Sequence, residues 1–79
     1  MARYFFHLHE GGQRLPDPDG MEIDDLDGLR EAALTGARSI VSHDARSGVI
    51  DLSGSIEVAD TQGRVVLVVS FADAVRIRA

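Results

Sequence analysis

The chain has 79 residues, a formal charge of −5, 44% hydrophobic and 27% charged residues, and no cysteine. That length makes one domain, residues 1–79, and the missing thiols exclude disulfides, thiolate zinc sites and cysteine nucleophiles. The negative charge argues against nonspecific binding to phosphate backbones, so nucleic acid is not an expected partner. A chain this short buries only roughly 60–65% of the surface its unfolded form exposes. Small domains without covalent staples commonly gain stability by associating with a copy of themselves. No apolar run approaches the ~18 residues of a membrane span, and His7 and His9 interrupt any signal-peptide core. No membrane partner and a cytoplasmic location are therefore expected.

Along residues 3–10, Tyr4, Phe6 and Leu8 alternate with Phe5, His7 and His9, which predicts a first strand with those two faces. Gly11-Gly12 ends it. Residues 13–23 read as a return arm with turn chemistry in PDPDG. Pro18 fits the second position of a type I turn, with Asp17 before it and Gly20 closing it. Met21-Glu22-Ile23 is then a short edge strand. Asp24-Asp25 is an N-cap signal, and Asp27 adds negative charge near the positive end of the helix dipole. The helix runs from Leu26 to Ala45. Its apolar stripe is Leu26, Leu29, Ala33, Ala37, Ile40 and Val41, three and four apart, facing the sheet. Gly28 and Gly36 each cost about 1 kcal/mol against alanine, so the helix depends on tertiary packing. Gly48 suits the C′ stop.

After VIDLSG, residues 55–71 read as a hairpin: Ile56 and Val58 alternate with Glu57, and Asp60–Gly63 is a turn with Gly63 left-handed. The last strand carries Val65, Leu67, Val69 and Phe71 on one face and Val66, Val68 and Ser70 on the other. Apolar on both faces, it is expected at the centre of the sheet, covered on both sides. The tail ADAVRIRA fits either an extension of the strand or one helical turn. The order is β-β-α-β-β, an α+β fold in which one amphipathic helix packs on one face of an antiparallel sheet. The other face would present Phe5, His7, His9, Val66 and Val68, an apolar patch holding two imidazoles. Patches of this type mark interaction surfaces.

Other chemistry finds less support. Two histidines at i, i+2 on a strand lie about 6–7 Å apart and can share a metal if further ligands arrive from elsewhere. Only His43 and unplaced carboxylates such as Glu10 are left to complete such a site, and His43 suits the negative end of the helix dipole. Metal binding through His7 and His9 is thus an alternative, as is a pH-sensitive contact, and no metal site is assigned. DPDGMEIDD is similar to the start of a calcium loop. Placing Gly20 at its sixth position, however, puts Leu15 and Leu26 where the end ligands belong. No serine sits in a nucleophile elbow, no glycine spacing cradles a phosphate, and no lysine is present. A chain of this size scarcely forms the deep dry cleft that splits two carboxyl pKa values. No enzyme activity, catalytic residue or cofactor is expected. Tyr4, Phe5 and Phe6 invite comparison with sheets that stack single-stranded bases, but only Arg3, Arg64, Arg76 and Arg78 could accompany them.

The opening RYFFHLHEGG, the passage PDPDGMEIDDLDGLREAAL and the closing IEVADTQGRVVLVVSFADAVRI together resemble a family of small bacterial proteins classed as a domain of unknown function. The resemblance covers nearly the whole chain and implies no activity and no catalytic residues. A similarity at fold level runs to HicB-type antitoxins, which also have an early hairpin and a helix after an acidic strand end. The chain lacks their signature sequence and their appended DNA-binding helix pair. That similarity implies the alternative of a regulatory binder of a toxin or nucleic acid. The reading the residues favour is a non-enzymatic protein-interaction or homo-oligomerisation module. It would be a homodimer or bind a protein partner through Phe5, His7, His9, Val66 and Val68.

Overall fold

The computed structural model describes residues 2–78. It has β1 (Ala2–Glu10), β2 (Gln13–Leu15), β3 (Met21–Ile23), α1 (Leu26–Ala45), β4 (Ser55–Ala59), β5 (Val65–Ser70) and α2 (Phe71–Ala74). The arrangement is α+β: an antiparallel sheet of five strands and one long helix, in the order strands, helix, strands. The strand order is β2-β1-β4-β5, with β3 also paired to β1.

β1 is nine residues long and organises the sheet. One edge takes β4 along Phe5–His9. The return arm runs along the other, with Leu8 opposite Leu15 in β2 and Tyr4 opposite Met21 in β3. Between those two pairs β1 advances by four residues and the return arm by six, so the surplus bulges out as the Pro16–Gly20 turn.

Asp25 caps α1, its Oδ1 accepting from the Gly28 N–H at 2.7 Å. Leu29, Ala33, Ala37 and Val41 of the helix pack onto Ile56, Val58, Val69, Phe71 and Ala74. Ala33 and Ala37 are fully buried and let the helix lie close on the sheet. Leu26, expected on this stripe, is 64% exposed. It is the first helical residue and lies before the turn that reaches the core. The helix ends in short-range bonds, Ser47 N–H to Asp44 O and Gly48 N–H to Ala45 O, with Arg46 as C-cap, so Gly48 sits one position beyond C′.

The β4–β5 turn forms as expected. Gly63 N–H bonds to Asp60 O, Gly63 is left-handed, and Asp60 Oδ1 accepts from the Gln62 and Arg64 N–H groups. The position of β5 is a correction. Among the described residues it lies at the edge of the sheet, with β4 as its one neighbour, and the central strands are β1 and β4. Val65, Val66 and Val68 are exposed. The tail resolves as one helical turn followed by extended chain: Ser70 Oγ caps α2 by accepting from the Asp73 N–H. Phe71 thus opens α2, fully buried, instead of continuing the strand. Arg38 Nε donates to Ala74 O at 2.7 Å and ties α2 to α1.

Candidate functional site

Pleating and register together define the face turned away from α1. Tyr4, Phe6, Leu8, Ile56, Val58, Leu67 and Val69 pack into or against the core, so their neighbours along each strand point the other way. Three cross-strand rows result: Phe5 beside Ala59; His7, Glu57 and Val68; and His9, Ser55 and Ser70, with Arg14 flanking His9 on β2. Phe5, His7, His9 and Val68 therefore share one face. Val66 falls where the ladder shifts between the Val58–Leu67 and Ala59–Val65 pairs, so it has no residue of β4 opposite it.

Exposure across this face is uneven. Val68 and Val66 are 56% and 44% exposed, whereas Phe5, His7 and His9 are half-buried. His9 sits beside Glu57, whereas the Pro16–Gly20 turn closes against Phe5 and His7. Asp17 is its anchor. Its Oδ2 accepts from the Phe6 N–H at 3.1 Å, and its Oδ1 accepts from the Asp19 and Gly20 N–H groups at 3.2 Å. It thus satisfies a strand donor in the gap that neither β2 nor β3 covers. Partial burial works against the charge on Asp17, but the three N–H donors and His7 outweigh it and hold its carboxyl below its ordinary pKa.

Asp17 also fixes His7. Its backbone N–H donates to His7 Nδ1 at 3.1 Å, so that ring nitrogen is held as an acceptor against the turn. The ring lies parallel to Phe5, with centroids 6.3 Å apart and planes within 5°. His9 has a different environment. Its Nε2 is 3.3 Å from Glu57 Oε2, within ion-pair distance when protonated, but out of line for a hydrogen bond.

The next residue, Glu10, meets Asp44 of the helix C-terminal end and Asp51 of the following loop. Its Oε2 is buried with no donor. The facing Asp44 carboxyl, burial, and the negative charges of Asp44 and Asp51 all raise its pKa, against a smaller opposing effect of His43. Among the described residues, no group of three or more His, Cys, Asp or Glu is placed to hold a metal ion. His7 and His9 lack a third ligand, and His7 Nδ1 is already engaged. Of the three N-terminal aromatics only Phe5 lies on the uncovered face, so no row of rings forms for base stacking.

Two members of the site were not singled out from the sequence. Glu57 was read only as the polar alternate of Ile56 and Val58. Its place between His7 and Val68 follows from register, which no local pattern encodes. Asp17 was read as a turn residue; its reach to Phe6 and His7 is a contact between segments ten and eleven residues apart. No helix among the described residues is long and apolar enough to cross a membrane. The chain matches a family model described as a domain of unknown function, DUF6894, over residues 3–72, and it belongs to that family. No curated protein and no solved structure matches it.

Proposed function

We propose that this DUF6894 chain is a non-enzymatic protein-interaction module that self-associates through the side of the sheet away from α1. The observation carrying the reading is Val68, more than half exposed in a row with His7 and Glu57. With Val65 and Val66 it forms an aliphatic surface beside polar groups that have partners within the chain. Such a surface gains roughly 25 cal/mol for each Å² of apolar area removed from water. The side chains around it are committed to one another: His7 to Asp17, and His9 next to Glu57. That disposition suits a rigid contact surface better than a reaction centre. Light scattering tests the proposal: the wild type is expected at dimer mass and Val68→Asp at monomer mass. A monomeric wild type at high concentration, indistinguishable from the variant, would overturn it.

A further inference from the structure

We infer that the docking element is the free edge of β5, and that its occupant is β5 of a second copy, paired antiparallel about a two-fold axis at Leu67. This rests on the self-association reading above but places the contact on the strand edge instead of the sheet face, which becomes the rival outcome of the test. β5 ends the sheet on its side. The Phe71 N–H bonds Gly54 O at 2.9 Å, and register places those two residues directly opposite one another. Antiparallel ladders alternate inward and outward backbone groups. Val69 and Leu67 therefore bond to β4, while Val68 and Ser70 aim N–H and C=O away from the sheet. The segment Val65–Val69 carries no charge, polar side chain or proline, so of the devices that normally keep an edge from pairing it shows just the ladder shift at Val66.

A second copy fits this edge because the strand is its own complement. VVLVV reads the same in both directions about Leu67. Antiparallel pairing there sets Val65 against Val69, Val66 against Val68 and Leu67 against itself. It also brings the outward groups of Val68 to Val66, the residue the ladder shift leaves without a β4 partner. Charges agree with this register. Arg64 at one end of the strand is already paired with Asp60 at 3.1 Å, so that end brings no uncompensated charge to the contact. The acidic Asp17–Asp25 stretch flanks β3, on the far edge of the sheet, so like charges stay apart.

Single-cysteine variants test the register, since the chain has no cysteine of its own. At the axis, Leu67→Cys would bring its Cα atoms to about 4.5 Å, and Val66→Cys mixed with Val68→Cys to about 5.5 Å, both within disulfide range. Two copies of Val68→Cys would stand roughly 8 Å apart, too far to bridge. After mild oxidation, a Leu67→Cys dimer and a mixed Val66–Val68 disulfide, exceeding either self-bridge, are expected on non-reducing gels and by intact mass. Residues 66 and 68 are exposed, so the mixed bridge remains readable even if Leu67→Cys fails to fold. A dominant Val68→Cys self-bridge with no mixed species would overturn edge pairing and leave face-to-face docking standing. A monomeric wild type with no bridge in any variant would overturn both.

Discussion

Asp17 joins three backbone donors and one imidazole through a single side chain and its own amide. Removing it leaves the Phe6 N–H without its acceptor in a half-buried gap, and Asp17→Ala is expected to cost about 1–2 kcal/mol in urea unfolding near neutral pH. The pH dependence has a definite sign. A carboxyl whose folded pKa lies below its unfolded value stabilises the fold above the unfolded pKa, and that stability is lost as pH falls through the folded value. The difference between wild type and Asp17→Ala should therefore shrink as pH is taken below the ordinary value of 3.8. A gap that stayed constant through the acid range would mean the charge on Asp17 is irrelevant. At this scale the sequence was half legible. PDPDG announced a turn because Asp17, Pro18 and Gly20 act on their own neighbours. The Phe6 and His7 contacts depend on where the turn lands.

Among the elements, α1 was the most legible, because an amphipathic stripe is a local pattern and Asp25 a local cap. β5 was the least. Five aliphatic residues in a row show that both faces avoid water, but not whether this chain or another covers them. Strand order was decided elsewhere: the long β1 occupies one edge of β4, and β5 takes the other. The turn into α2 was undecidable locally because the seat of Phe71 is built by Gly54. A Cβ on residue 54 would lie 2.5 Å from Phe71 Cε2 and 2.8 Å from His9 O. One of those neighbours is backbone and the other a fully buried ring, so neither can retreat cheaply. Gly54→Ala is expected to destabilise by about 1–3 kcal/mol, read as a lowered Tm. An unchanged Tm would show that the β4–α2 junction is looser than its packing indicates.

For the molecule as a whole, each copy carries a formal charge of −5, so the proposed association through an uncharged strand would work against mutual repulsion. Salt screens that repulsion over a Debye length of about 8 Å at physiological ionic strength. Self-association measured by analytical ultracentrifugation should therefore strengthen as sodium chloride is raised from low levels. Weakening instead would assign the contact to ion pairs between copies rather than to Val65–Val69. The two sides of the sheet also differ in what they allow. Beyond β1, two three-residue strands stand apart with the Asp17 carboxylate plugging the space between them. That side is a broken, acidic margin with no long row of donors to extend. A molecule joined along one side alone would make closed pairs and then stop. With copies paired through β5, the Asp17 plug on the opposite margin would stop further strands from adding there.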